Sequence, residues 1–414
     1  MTDAQLSEWL RCPYCGGALG LADNAALVRR GARIESGVLG CDCCAFPIVA
    51  GIPVMQATDA TRAAIEALEA GRHEDAVLLL LEVDDLNRDL VRGWLQAGGP
   101  PTFRAGVDGL SRDAEGVWAI FRVADPTSTN TEALFDALCS SPRAMRGPVL
   151  DMCGGFGHLS WWLRARLQGV ELCIGDMFFW KLWLAGQFLA HDALLVCCDG
   201  NAPLPFARNT FPTVVLSDAF PYIWHKRMLA DEMMRLCGED GLILMPHLHS
   251  SLGDNHSAGM TLTPAAYAAL FAPMQPHFFR ERLLLAQAVS GAGLDLSVEA
   301  SAEAVGDDAA PTMVACRDAA VFTRYAGAEP PPVQGNLQLN PLYRVIESEG
   351  QQHLEVVFPT DDYADEFQLC LTYLPATLTL PADILERARL QPSSPEVVAL
   401  RRQRVLLDLP RRYC

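Results

Sequence analysis

Lysine is almost missing from this sequence: Lys181 and Lys226 are the only two among 414 residues. Acidic residues outnumber basic ones 50 to 32, giving a net charge of −18. Proteins that grip nucleic acid neutralise phosphates with Lys and Arg, usually through a basic patch, so nucleic acid is disfavoured as a partner. Arg401, Arg402, Arg404, Arg411 and Arg412 form a local cluster, and an exposed terminal helix accounts for them equally well. Long apolar runs are also missing. Residues 76–81 fall far short of the roughly 20 needed to cross a bilayer, which excludes a membrane-spanning helix. The first residues lack the basic start and apolar stretch of a secretory signal, so the expected setting is cytoplasmic. No oxidising compartment is signalled, and a disulfide framework is not expected. Internal repeats and long low-complexity tracts are absent.

What remains is a chain half apolar and one-fifth charged, the profile of a folded protein too long for one ordinary core. Four segments are expected. Residues 1–57 are rich in cysteine and turns. Residues 58–146 carry helical apolar spacing, with a polar Ser-Thr-Asn-Thr run placed to cap a helix near Glu132. Residues 147–328 alternate short apolar runs with helical stretches, as in an α/β sheet with crossover helices. After a stiff Pro330-Pro331-Pro332 linker, residues 335–414 read as a small α+β region, with strand-like runs at 354–358 and 368–374 and a helical end.

Fourteen cysteines is a high count. Cys173, Cys197, Cys198 and Cys237 sit among apolar neighbours and read as small core residues. Cys12-Pro13-Tyr14-Cys15 and Cys41-Asp42-Cys43-Cys44 instead form two C-x2-C turns. Each points two thiolates at one spot, and together they supply a tetrahedral sulfur site for structural Zn²⁺ through Cys12, Cys15, Cys41 and Cys44. A gap of 25 residues leaves room for a hairpin, with residues 27–34 read as a strand. The flanks, Leu10-Arg11-Cys12-Pro13-Tyr14-Cys15-Gly16-Gly17 and Phe46-Pro47-Ile48 through Gly51-Ile52-Pro53-Val54-Met55, resemble the zinc-ribbon family that includes the small activator subunit of tRNA, rRNA and release-factor methyltransferases. That resemblance covers residues 8–56 and implies a ribbon that holds structure and partner contacts without performing chemistry. It favours Cys44 over Cys43, although a shifted turn lets Cys43 substitute.

Residues 149–160 read Val-Leu-Asp-Met-Cys-Gly-Gly-Phe-Gly-His-Leu-Ser: an apolar strand, a glycine-rich turn and a helix starting near His158. Glycines let the backbone bend sharply and approach a ligand, and a helix N-terminus offers free N–H groups. Further strands are expected at 172–176, ending in Asp176, and at 194–198, running into Asp199-Gly200-Asn201-Ala202. Two more are expected at 211–217 and 241–245, with a helix over 228–237 between them. An acid at the end of a second strand accepts hydrogen bonds from ribose hydroxyls. This series resembles class I S-adenosylmethionine (SAM)-dependent methyltransferases of the type 11 group over residues 147–247. The resemblance implies a Rossmann-like class I sheet with SAM as cofactor. Asp151, Gly155 and Gly157 would shape the methionine end, Asp176 would hold the ribose, Asp199 the adenine amino group, and Asn201 and Ala202 would flank the ring. Two departures stand out. Cys153 replaces the usual first glycine, and the Asp151–Asp176 spacing is long, which leaves Glu171 as an alternative. An NAD site would instead show G-x-G-x-x-G.

Two loops carry candidate catalytic residues. Asp218-Ala219-Phe220-Pro221-Tyr222 is similar to the D/N-P-P-Y loop of amino-group methyltransferases, off by one position. His247 and His249 follow the fifth strand, face one side if extended, and are joined by His256 near Asn255. They fit a general base better than a metal site, since Asp254 is the only acid close by in sequence. The leading reading is a SAM-dependent methyltransferase of a small metabolite or natural-product intermediate. The alternatives are a tRNA, rRNA or protein methyltransferase, a non-catalytic SAM-fold scaffold, and SAM chemistry other than methyl transfer. A small-molecule partner is expected, and a homo-oligomer is compatible.

Overall fold

The computed structural model describes residues 1–111, 115–141, 145, 147–167, 169–254, 259–298, 301–305, 308–348 and 350–414. Asn255 and His256 lie outside the described residues. Helix α1 (Asp3–Trp9) opens with a capping box: the Thr2 hydroxyl accepts from the Gln5 amide, and the Gln5 side chain accepts from the Thr2 amide. Strands β1 (Gly20–Leu21), β2 (Val28–Arg30), β3 (Arg33–Gly40), β4 (Ala45–Val49) and β5 (Ile52–Pro53) follow, in the order β1-β3-β4-β5 with β2 on β3. The single strand expected over 27–34 is therefore two strands and a turn. Gly31, at φ 60°, adopts the left-handed conformation at the tip of the hairpin.

The ribbon does not stand apart. Val54 pairs in parallel with Cys197, and the Met55 amide donates to the Cys197 carbonyl at 2.7 Å. Trp9, Leu10, Phe46 and Ile48 share one hydrophobic cluster with Leu194, Val196, Phe206 and Phe211 of the following segments. Residue 57 is a boundary in sequence pattern, while the packing runs across it.

Helices α2 (Asp59–Glu69), α3 (His73–Leu80), α4 (Arg88–Ala97), α5 (Phe103–Leu110), α6 (Glu115–Phe121) and α7 (Pro126–Cys139) come next. Helix α7 begins six residues before the expected Glu132, because Asp125-Pro126 is the stronger start signal. The Asp125 carboxylate caps the Ser128 amide at 2.8 Å and proline takes the first turn. The Ser-Thr-Asn-Thr run lies inside the helix, where the Thr129 and Thr131 hydroxyls donate to the carbonyls of Asp125 and Thr127.

The central sheet is built from β6 (Val149–Met152), β7 (Leu172–Asp176), β8 (Leu194–Cys197), β9 (Thr213–Val215), β10 (Leu242–Met245), β11 (Pro276–Phe279) and β12 (Thr312–Ala315). Helices α8 (His158–Arg166), α9 (Phe179–Phe188), α10 (Lys226–Cys237), α11 (Pro264–Leu270) and α12 (Glu281–Ser290) connect or cover its strands. The order is β11-β12-β10-β9-β6-β7-β8, and only β12 runs against the rest. Strands β6, β8, β9 and β10 are wholly buried, as in a parallel sheet covered on both faces. The chain leaves β6 toward β7 on one side and returns to β9 on the other. That switch point opens a crevice at the carboxyl ends of the strands.

The C-terminal region contains β13 (Asn336–Leu339), β14 (Tyr343–Ser348), β15 (Gln351–Val356), α13 (Asp361–Phe367), β16 (Thr377–Pro381), α14 (Ile384–Leu390), α15 (Pro395–Arg402) and β17 (Leu406–Leu409). Strands β14, β15 and β16 form a three-stranded antiparallel sheet, and β13 pairs with β17. Residues 368–372 form a 3-10 turn in place of the expected strand, and the chain closes on a strand in place of a helix. Arg404 does not lie on an exposed terminal helix. It reaches Glu132 of α7 and the Val123 carbonyl, anchoring the region to the helical segment. Among the described residues no helix is long and apolar enough to cross a membrane.

Candidate active site

Strand β6 delivers Asp151 to the crevice, and the turn from Cys153 to Gly157 leads into α8. A Cβ at Gly154 would lie 2.5 Å from the Asp151 carboxylate, so glycine is required there. Cys153 adopts φ 60°, a left-handed conformation that costs a side-chain-bearing residue about 1–2 kcal/mol. Asp176, at the end of β7, accepts the Gly155 amide at 3.0 Å and the Phe178 amide at 2.9 Å, which locks the turn to the second strand. Burial, reinforced by Asp176, raises the Asp151 pKa to about 7. Asp199 accepts from the amide and side chain of Asn201 at 2.8 and 3.2 Å. The Asn201 side-chain oxygen accepts the Trp224 and His225 amides, so this residue also ties down the loop after β9.

A cavity of about 780 Å³ gathers these groups. Asp151, Gly155, Asp176, Asp199, Asn201, Asp218 and Tyr222 all line it. Gly157 and Ala202 are not among its lining residues; Gly157 precedes α8 as its cap. Glu171 faces solvent and accepts from the Gln5 side chain, which leaves Asp176 as the strand-two acid on the cavity. Sequence reasoning missed Lys181, buried one turn into α9, where its ammonium lies 4.5 Å from the centre of the Phe178 ring. Its signal was its rarity, since the chain has only one other lysine.

Beyond the crevice, His247 and His249 sit side by side after β10, with ring centres 4.8 Å apart. Neither lines the cavity. His247 Nδ1 meets Glu281 at 3.0 Å, and His249 Nε2 meets Asp218 at 2.9 Å. The other Asp218 oxygen accepts from Arg122 at 2.8 Å. Burial disfavours the His247 imidazolium, but Glu281, Asp218 and Glu366 overcome it and hold its pKa up at about 10. Burial would raise Asp218, yet Arg122 and His249 prevail and keep it well below the usual carboxylate range. Asp218 and His247 both adopt φ 54°, so backbone strain collects here as it does at Cys153. The acids near the histidines are Asp218, Glu281 and Glu366; Asp254 is exposed and outside the cluster. Arg122 and Glu366 carried no local sequence signal, because α7's approach and α13 bring them in from distant segments.

In the ribbon, the Sγ atoms of Cys12, Cys15, Cys41 and Cys43 lie within 4.8 Å of one another. Cys43 rather than Cys44 completes this group of sulfurs, with Cys44 Sγ 3.5 Å from Cys43 Sγ. The Cys41 amide donates to the Cys44 carbonyl at 2.9 Å and closes the β3–β4 hairpin, so Cys43 stands at the exposed tip while Cys44 packs against the core.

The sheet order with β12 alone reversed, and the glycine turn flanked by Asp151 and Asp176, decide the fold. The fold is that of a class I methyltransferase, preceded by a cysteine cluster that fits a zinc ribbon. The chain shows partial likeness to several solved structures. One is a chain from a complex of the Haloferax volcanii Trm112 methyltransferase activator, with 17% identity, TM-score 0.35, and coverage of 50% of this chain and 98% of that one. A SAM-dependent methyltransferase from Aquifex aeolicus gives 12% identity and TM-score 0.32, over 39% of this chain and 89% of that one. Haemonchus contortus phosphoethanolamine N-methyltransferase 1 gives 13% identity and TM-score 0.33, over 55% of this chain and 48% of that one. No family model matches the sequence, and no curated protein does.

Proposed function

We propose that the chain is a SAM-dependent methyltransferase acting on a small molecule. The observation that carries this reading is the convergence of Asp151, Gly155, Asp176 and Asp199 on one cavity at the carboxyl edge of the sheet. SAM supplies a methyl group already activated on a sulfonium, so the chain must bind, align and exclude water more than it must activate. Asp176 accepts the ribose hydroxyls, Asp199 takes the adenine amino group, and Asp151 faces the cationic methionine end. Asp218 and Tyr222 meet the acceptor from the loop after β9. His249 lies behind Asp218 and holds it in place, and His247 is held in turn by Glu281, an arrangement that replaces the direct base role expected for the pair.

A small acceptor is supported by enclosure and charge. Residues Glu366, Arg404 and Asp408 of the C-terminal region share the cavity lining with the strand-end acids, and the net charge of −18 opposes a polyanionic substrate. The ribbon serves as a built-in brace on the edge strand β8. Its four sulfurs are suited to Zn²⁺: all lie within 4.8 Å of one another, and three of the six pairs, at 3.5–3.7 Å, approach the edge of about 3.8 Å for a tetrahedron of 2.3 Å Zn–S bonds. Native mass spectrometry of the purified protein tests the reading. The expected species carries SAM or S-adenosylhomocysteine, with any trapped acceptor; a protein that stays ligand-free after incubation with either nucleoside contradicts it.

A further inference from the structure

One donor atom from each of Asp218, His247, His249 and Glu366 lies within 4.8 Å of the other three. The individual separations are 2.9 Å for His249 Nε2 to Asp218 Oδ1, 3.9 Å for His249 Nε2 to Glu366, and 4.0 Å for His247 Nε2 to Glu366. An ion about 2.1 Å from each donor would impose separations of about 3–4 Å. Both imidazoles are sealed, at 4% and 2% exposure, yet His247 Nε2 has no hydrogen-bond partner. A buried polar atom in that position calls for a partner. The groups behind the cluster are arranged to aim it. Glu281 holds His247 Nδ1 from the far side, with the Asn130 amide and Thr312 behind it, and Arg122 holds the outer oxygen of Asp218. Carboxylates that grip the rear nitrogen of a histidine fix the ring and tautomer of a metal ligand. Charge points the same way: Asp125 and Asp218 share the Arg122 guanidinium, while Glu281 and Glu366 face His247.

We infer that Asp218, His247, His249 and Glu366 bind a divalent transition-metal ion at the wall of the substrate cavity. Two nitrogens and two carboxylates suit Mn²⁺, Fe²⁺ or Zn²⁺, and differ in kind from the all-thiolate ribbon. Asp218 and Glu366 also line the cavity, so an ion there is reachable by an acceptor. Resting on the methyl-transfer reading, the acceptor class is one with hard oxygen donors: a hydroxyl, an enol or a carboxylate.

Titration of the full-length protein with Mn²⁺, followed by the paramagnetic resonance of the free ion, tests this. Mn²⁺ is too hard for the ribbon thiolates, so the count reports the new site. One ion per chain is expected, with affinity about tenfold or more weaker in Glu366→Gln and in His249→Gln. No binding at millimolar Mn²⁺, or binding unchanged in both variants, overturns the inference. Calorimetry with S-adenosylhomocysteine, run in parallel, shows that each variant is folded and separates the two readings. A wild-type protein that takes the nucleoside but no Mn²⁺ loses the metal site alone; one that takes Mn²⁺ but no nucleoside loses methyl transfer alone.

Discussion

Asp151 shows how single positions are tuned by what surrounds them. In an unfolded chain its carboxyl would ionise near 3.8; burial and the neighbouring Asp176 raise it to about 7. Between those values the native state holds a proton that the unfolded state has lost. This group's contribution to stability therefore falls as pH rises through the window from about 4 to 7. A cationic ligand has the opposite preference, since it favours the ionised form. Binding of SAM is expected to strengthen about tenfold between pH 6 and pH 8, with proton release that calorimetry in buffers of different ionisation enthalpy would detect. A flat profile would mean that Asp151 does not face the charged end of the ligand. Asp151 and Asp176 could be singled out in the sequence because each lies at the end of an apolar run, Asp151 beside the glycine turn and Asp176 closing the next strand, although their long spacing left Glu171 open. Arg122 and Glu366 could not be, because their places are set by packing between segments far apart in the chain, and Lys181 offered only its rarity.

Elements were legible where local pattern and tertiary packing agree. The five strands expected between residues 149 and 245 all form, since buried parallel strands need continuous apolar runs. Boundaries failed where a stronger local signal lay nearby, as with Asp125-Pro126 at the start of α7. The C-terminal end failed for another reason: residues 406–409 form a strand through pairing with β13, a partner about 70 residues earlier in the chain. The junction of β5 with β8 changes the expectation for the ribbon. Read as a separate unit, it would loosen on chelation and leave the sheet intact. Because Val54 and Met55 pair with Cys197 and the two segments share one core, zinc removal should instead lower the melting temperature of the whole protein. Thermal denaturation with and without chelator measures this. An unchanged main transition, with a separate early one, would show that the ribbon unfolds alone.

At the scale of the whole molecule, three segments close on one cavity: the sheet supplies the strand-end acids, the segment before α7 supplies Arg122, and the C-terminal region supplies Glu366. Each alone leaves charges exposed that the assembly buries. The sheet and the acids at its carboxyl edge could be read from sequence because their motifs are local. The part of the cavity lined by Glu366, Arg404 and Asp408 could not, since it exists only once the last 80 or so residues have folded back. The cavity is expected to bind the SAM nucleoside through the acid at the end of β7. Isothermal calorimetry with S-adenosylhomocysteine on the wild-type protein and on Asp176→Ala tests it most directly. One charge-assisted hydrogen-bonded group is worth roughly 1.5–3 kcal/mol, so one micromolar site per chain is expected, weakened about 10- to 100-fold in the variant. No heat of binding at millimolar ligand, or equal affinity in both proteins, would contradict it.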